Sequence, residues 1–270
     1  MAYNLLKGKK GIIFGALNEQ SIAWKVAQRC VEEGAEIVLT NSPLALRMGE
    51  LNKLAEECNA PVIPADVTSN DDINNLLTKS MEHFGGGVDF ILHSIGMSLN
   101  VRKGIGYTDN NYDFTHKGLD ISALSFHRVL AAAMKMDAIN EWGSVLALTY
   151  IAAQRVFPDY NDMADNKAYL ESIARNFGYQ YGVKKHVRVN TVSQSPTRTT
   201  AGSGVKGFDG FINYAEKMSP LGNADANQCA DYCVSLFSDL TKMVTMQNLF
   251  HDGGFSYTGV TAAVIEQMEK

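Results

Sequence analysis

Residues 10–23 read Lys-Gly-Ile-Ile-Phe-Gly-Ala-Leu-Asn-Glu-Gln-Ser-Ile-Ala, and the whole fold assignment starts from how they are parsed. Residues 10–15 form a short apolar run closed by glycine, which predicts a buried strand. Residues 21–33 then take on helical periodicity. Glycine at the strand end permits a tight turn, and free N–H groups at a helix start can hold a pyrophosphate. Ser21 stands where an N-cap belongs, so its hydroxyl serves as a cap or as a phosphate ligand. The motif is not GxGxxG, because Ser21 fills a place where a dinucleotide fold usually has glycine.

Working outward, further strands are expected at 36–40, 61–64, 88–94, 144–149, 186–192 and 244–250. Helices are expected at 44–58, 71–84, 121–136 and 167–181. Strands alternating with helices mean βαβ units and a parallel sheet covered on both faces. The expectation is an α/β fold: a doubly wound, Rossmann-like parallel sheet of about seven strands. No repeat, low-complexity tract or Pro/Ser-rich linker divides residues 1–270, so one domain is the economical reading. Two stretches without clear periodicity, 96–113 and 195–208, follow the carboxyl ends of strands, where open α/β sheets bind ligands.

The chain has 270 residues, 24 Lys+Arg and 29 Asp+Glu, a formal charge of −5. That balance argues against a nucleic-acid protein. Apolar residues make up 46% and charged residues 20%, which excludes disorder. No apolar run approaches the ~20 residues of a membrane span. Lys7, Lys9 and Lys10 before the apolar run 11–17 resemble a signal peptide only superficially, since Asn18-Glu19-Gln20 follows without a small-residue cleavage pattern. Cys229 and Cys233 are one helical turn apart but lack a companion Cys or His pair. With Cys30 and Cys58 they read as buried thiols in a reducing, cytoplasmic compartment, and no metal site is expected.

Other strand ends support a ligand on one edge of the sheet. Asp66-Val67 could bond and pack against an adenine, and Ser94-Ile95-Gly96 lets backbone approach a ligand. The fifth strand ends at Tyr150, and the sixth runs into Ser195-Pro196-Thr197-Arg198-Thr199. Each alone is as readily a cap or a turn; their shared edge is the argument. After the second strand, Thr40-Asn41-Ser42 offers neither an acid to select an unphosphorylated ribose nor an adjacent cation for a 2′-phosphate, Arg47 being nearest. NADH is favoured over NADPH. Tyr160 and Lys167, if on one helix, are ~700° apart and nearly on one face. A phenol with pKa ~10 would benefit from that cation as an acid near neutrality. A packed Tyr with a snorkelling Lys is the plain alternative.

A dinucleotide fold with Tyr and Lys after the fifth strand resembles the short-chain dehydrogenase/reductase superfamily. Most members place Tyr one turn before Lys, where this chain has Met163. The Tyr-x6-Lys spacing, together with GALNEQSIA (15–23), HSIG (93–96), DISALSF (120–126) and HDGGFS (251–256), is similar to the NADH-dependent enoyl-[acyl-carrier-protein] reductase of bacterial type II fatty-acid synthesis. The resemblance spans about residues 5–259. It implies reduction of a trans-2-enoyl-acyl carrier protein with NADH. Tyr160 would donate to the enolate oxygen, Lys167 would grip the nicotinamide ribose, and Tyr150 would line the pocket.

By the same resemblance, Gly15, Ser21, Ile22, Ser42, Asp66, Val67 and Ile95 would contact the cofactor. Thr197, Arg198, Thr199, Thr200 and Ala201 would lie along its pyrophosphate and nicotinamide side, and Ser98 beside the acyl substrate. A flexible lid, about 197–217, would carry Gly202, Gly204 and Gly207 over the acyl chain. Arg198, Lys206 and Lys217 near the lid are candidates to dock the acidic acyl carrier protein, an ordinary solvated surface being the plain alternative. Asp120, Ser122 and Ser125 would begin a helix that helps form a homotetramer, or one that simply packs in the core. The chain departs from its relatives at Asp165-Asn166, where small or apolar residues are usual, and at Gln194-Ser195, where Ala-Gly is common. The competing readings are a carbonyl- or hydroxyl-directed short-chain dehydrogenase, which Met163 disfavours, and a non-catalytic dinucleotide sensor.

Overall fold

A computed structural model describes residues 2–200 and 207–269. Among these residues six parallel strands form one sheet: β1 (Lys10–Phe14), β2 (Glu36–Thr40), β3 (Val88–His93), β4 (Ile139–Thr149), β5 (Arg188–Gln194) and β6 (Asn248–His251), in the order β2-β1-β3-β4-β5-β6. The chain leaves β1 toward β2 and then returns past it to β3. The sheet therefore opens at its carboxyl edge between β1 and β3, the switch point where such sheets bind ligands.

The apolar runs become strands because both faces are buried. Along β1, Ile12 and Phe14 face a cluster containing Leu76, Ile91, Val129 and Leu170, while Ile13 faces Trp24, Phe90, Leu146 and Phe237. Helices α1 (Ile22–Glu32) and α10 (Ala226–Phe237) cover the second face; α4 (Asn70–Phe84), α7 (Ser125–Lys135) and α8 (Asn161–Lys185) cover the first. All four cysteines are buried and free. Among the described residues no helix is long and apolar enough to cross a membrane, and no cluster of acids, His and Cys could hold a metal.

Three expectations need correction. The strand at 61–64 is a single bridge, Val62 to Leu39; Pro61 and Pro64 lack an N–H, so this edge segment adds no full ladder and the sheet has six strands rather than seven. The last strand starts at Asn248 and not near 244, because Met246 adopts φ +62° and cannot extend the pleat. The helix at 44–58 breaks into α2 (Pro43–Met48) and α3 (Leu51–Cys58). Gly49 turns extended there, and a Cβ on it would fall 2.6 Å from the Leu17 carbonyl oxygen. Glu50 N–H donates to that same carbonyl at 2.9 Å, tying the break to the loop after β1.

At the opposite edge, Arg188 opens β5 with 2% of its surface exposed. Its guanidinium donates to the carbonyls of Leu236 (2.8 Å), Ser238 (3.2 Å) and Thr241 (3.0 Å), closing the C-terminal turn of α10. Burial pulls its pKa down, but the helix dipole and the carbonyls favour the cation. Arg188→Met would strand several buried carbonyls at roughly 1–3 kcal/mol each. Urea unfolding should show a loss of about 3 kcal/mol, with the specific activity of the folded fraction unchanged.

Candidate active site

The first wall is the β1–α1 loop. Gly15 has φ +92°, and a Cβ there would sit 2.0 Å from the Ser94 carbonyl oxygen, so only glycine lets the ends of β1 and β3 approach this closely. Ser21 occupies the N-cap of α1 but makes no side-chain cap bond. Its Oγ instead accepts from the N–H groups of Leu17 (3.1 Å) and Asn18 (3.2 Å), closing the loop on itself. The first turn of α1, beginning at Ile22, is thus left without a side-chain acceptor and suits an anionic ligand. Asn41, which the sequence reading passed over, donates to the Ala16 carbonyl at 2.9 Å, and Ser42 caps α2 by accepting from Ala45 N–H at 3.3 Å.

Asp66 is exposed beside this edge, its carboxylate accepting from Thr68 N–H at 2.9 Å. Val67 is buried in the core and Ile95 packs partly against it. The loop after β5 reaches across to the β1 loop, where Asn18 Nδ2 donates to Thr200 Oγ1 at 2.9 Å. Thr197 donates to the Ser195 carbonyl at 2.9 Å, and Arg198 pairs with Asp209 at 2.5 Å on the surface. A recess of about 430 Å³ opens between Gln20, Arg198 and Thr199 on one side and Gly207, Phe208 and Asp209 on the other. Ala201 and Lys206 lie outside the described residues. Helix α9 (Phe208–Met218) follows, and its Lys217 donates to Gln267 at 2.5 Å on α11 (Ala262–Met268).

Tyr150 and Tyr160 meet at the carboxyl end of β4, and Lys167 reaches the same strand. Tyr150 directly follows Thr149, and its ring lies 5.2 Å from that of Tyr160 at a tilt of 53°. Lys167 is 8% exposed, and its ammonium donates to the Leu148 carbonyl at 2.8 Å. No other acceptor contacts it among the described residues, so its remaining donors are available to a ligand. A Cβ built on Gly96 would come within 3.5 Å of that ammonium, so the absent side chain keeps the space beside it open. The open carboxyl edge, the uncapped first turn of α1 and these donors fit a dinucleotide.

The electrostatics depart from expectation. Tyr160 is the N-cap of α8 rather than part of the helix. Burial raises the pKa of its phenol, and burial, then Tyr160 and Asp252, raises that of Tyr150. Lys167 does not offset this, so both phenols are protonated hydrogen-bond donors. Burial lowers Lys167 to about 8 despite Glu171 one turn along. His93, fully buried and bonded through Nε2 to Ser125 Oγ at 2.8 Å, is pushed down to about 3 by burial and by Lys167. It stays neutral under ordinary conditions.

The Ser98 hydroxyl is committed within the chain. Expected beside the acyl substrate, Ser98 is 3% exposed; its hydroxyl donates to Asp162 at 2.5 Å and accepts from Val101 N–H at 3.0 Å, capping α5 (Leu99–Arg102). The hydroxyls of DISALSF are also held within the chain. Ser122 both accepts from and donates to the Met97 backbone (2.9 and 3.1 Å), within a π-helical turn, Asp120–Leu124, that links α6 (Tyr112–Leu119) to α7. Asp120 pairs with Arg128 at 2.5 Å. Of the departures, Gln194 accepts from His251 Nδ1 at 2.6 Å and donates to the Ala224 carbonyl at 3.0 Å, cross-tying β5, β6 and the approach to α10. Asp165 accepts from the Tyr107 hydroxyl at 3.2 Å. Asn166 is buried with its Nδ2 lacking a hydrogen-bond partner.

Sequence reasoning also missed Glu171, 4% exposed, which accepts from Thr149 (2.9 Å), Gln154 (3.1 Å) and Asn248 (3.2 Å) and so braces the corner before Tyr150. Its only sequence signal was the i,i+4 spacing from Lys167.

A doubly wound parallel sheet with an open glycine loop at the switch point, and Tyr and Lys at the end of β4, is the arrangement of a short-chain dehydrogenase/reductase. The family model described as "Enoyl-(Acyl carrier protein) reductase" matches residues 15–256. The chain belongs to that family. It is 34% identical over 262 residues to "Enoyl-[acyl-carrier-protein] reductase [NADH] 2" of Rhizobium meliloti, covering 95% of this chain and 94% of the relative. It is 30% identical to the Bacillus subtilis enzyme of the same type, covering 94% and 98%. Among solved structures, the FabI–NADH complex from Alistipes finegoldii is 68% identical with a TM-score of 0.95, covering 96% of this chain and 92% of that one.

Proposed function

We propose that this chain reduces the trans-2 double bond of enoyl-acyl carrier protein, NADH supplying the hydride, in the last reductive step of type II fatty-acid elongation. The observation that carries this is the ring contact of Tyr150 and Tyr160 at the end of β4, the strand whose Leu148 carbonyl accepts from the Lys167 ammonium, while the position one turn before Lys167 holds Met163. A thioether cannot deliver a proton to a carbonyl oxygen. An enoyl thioester takes hydride at its β-carbon and develops charge on an oxygen several bonds away. Tyr160, set outside the helix, suits that remote oxygen and stabilises it by hydrogen bonding. Tyr150 lines the pocket and assists proton delivery.

Lys167 holds the ribose hydroxyls. Gly15, Ser21, Ile22, Ser42, Asp66, Val67, Ile95 and residues 197–200 surround the rest of the dinucleotide, Ser21 by closing the loop with its hydroxyl rather than by offering that hydroxyl to the cofactor. Of the expected lid, residues 197–200 and 207–217 border the acyl chain, and residues 201–206 lie outside the described residues. Arg198 and Lys217 contribute to docking the carrier protein, Lys206 lying outside the described residues, and the enzyme works as a cytoplasmic homotetramer. The test is NADH absorbance with crotonyl thioester and, separately, with a panel of ketones. Oxidation with the thioester supports the proposal; oxidation with ketones only would move the assignment to a carbonyl reductase, and binding without turnover to a sensor.

The Lys167 titration makes a second prediction. A cofactor that accepts from the ammonium binds the protonated form, which predominates below about 8. The KM for NADH should be flat below that pH and rise by up to about tenfold per unit above it. In Lys167→Met the KM should be high and independent of pH; a pH-independent KM in the wild type would contradict this role.

A further inference from the structure

Tyr160 stands between two non-glycine residues in left-handed conformations, Asp159 at φ +63° and Asn161 at φ +45°. Asn and Asp tolerate this region better than other side chains, yet such a corner persists only where its surroundings hold it. Asn161 is held by donating to the Ile105 carbonyl at 2.7 Å and by accepting from Asp162 N–H. Asp162 has no exposed surface and forms no ion pair among the described residues. Its Oδ1 accepts from Ser98 Oγ and its Oδ2 from Asn100 Nδ2 at 2.9 Å. Asn100, equally buried, also donates to Thr115 Oγ1 at 3.0 Å and accepts from Asn111 N–H at 3.1 Å.

A buried carboxylate without a cation is a poor device for stability alone, because an apolar side chain of similar size avoids its desolvation cost. What it supplies here is geometry. Its partners come from the segment between β3 and α6, the same segment that carries Gly96 beside the Lys167 ammonium. The carboxylate therefore fixes the Tyr160 corner relative to the wall that borders Lys167. Resting on the reading of Tyr160 as the donor to the enolate oxygen, we propose that Asp162 is a positioning residue: its buried carboxylate, clasped by Ser98 and Asn100, sets the strained corner that aims the Tyr160 hydroxyl.

The experiment is steady-state NADH oxidation with crotonyl thioester, with NADH affinity from fluorescence titration, on the full chain. Asp162→Ala should lower kcat by about 30–100-fold, the scale of a misplaced catalytic group, while the Kd for NADH changes less than about twofold. Asp162→Asn, which keeps the shape and one acceptor, should recover about tenfold of that loss. In a Tyr160→Phe background, Asp162→Ala should cost less than about threefold more, because its effect passes through the phenol. Equal factors in both backgrounds, or a lowered Tm with unchanged kcat, would overturn the positioning role. If Asp162→Ala fails to fold, Ser98→Ala carries the same test: kcat should fall about fivefold or more at constant NADH affinity, and an unchanged kcat overturns the proposal. A wild-type chain that does not oxidise NADH with the thioester would instead overturn the functional reading itself.

Discussion

Tyr160→Phe is expected to lower kcat for enoyl thioester reduction by roughly 10²–10³-fold, the usual consequence of removing one donor aimed at developing negative charge. The phenol is protonated because burial disfavours the phenolate, so what the substitution removes is a hydrogen bond and not a base. The ring contact with Tyr150 at 5.2 Å survives in phenylalanine. Stability and NADH affinity should therefore stay close to wild type, and the whole effect should fall on turnover. A Tyr160→Phe enzyme with more than about a tenth of wild-type kcat would mean that another group carries the oxygen's charge. Tyr150, also protonated and in contact, is the first alternative, and Tyr150→Phe measured in parallel would show it.

Gly15→Ala should be comparably severe, by a different route. The added methyl would lie 2.0 Å from the Ser94 carbonyl oxygen, which is backbone and cannot rotate away, and the residue would have to keep φ +92°. Either β1 and β3 separate at their ends or the loop refolds. Both displace the first turn of α1 and the Ser21 hydroxyl that accepts from Leu17 and Asn18. The expected result is an NADH Kd at least about 10²-fold weaker, as for a misplaced ligand-binding group, with about 2 kcal/mol lost in urea unfolding from backbone strain. Fluorescence titration with NADH reads the first and denaturant titration the second. Wild-type affinity in Gly15→Ala would show that the close approach is not what shapes the cofactor loop.

The sheet was legible because its strands are buried on both faces and so appear as nearly uninterrupted apolar runs such as Ile12-Ile13-Phe14 and Phe90-Ile91-Leu92. Where local backbone overrode hydrophobicity, the reading slipped. Met246 in a left-handed conformation delays β6, Pro61 and Pro64 reduce an expected strand to one bridge, and Gly49 breaks a continuous helical pattern. The site was legible where chemistry sits at strand ends. It was not legible where polar side chains from distant segments meet, because Asp162 lies more than sixty residues from Ser98 and Asn100 in sequence. Spacing suggested that Tyr160 and Lys167 share a helix and that the cation would acidify the phenol; Tyr160 instead stands at the N-cap of α8, and burial keeps its phenol protonated.

Sequence alone thus determined the doubly wound parallel sheet and its glycine turn after β1, since each depends on short-range pattern or on residue type. Only the tertiary structure decided which hydroxyls remain available to a ligand, that Ser98 and Ser21 are committed to the chain itself, and that a buried carboxylate underlies the corner bearing Tyr160. The reason is physical: apolar periodicity is a local property of the chain, whereas the partner of a buried polar group and the free energy of its charge depend on everything packed around it.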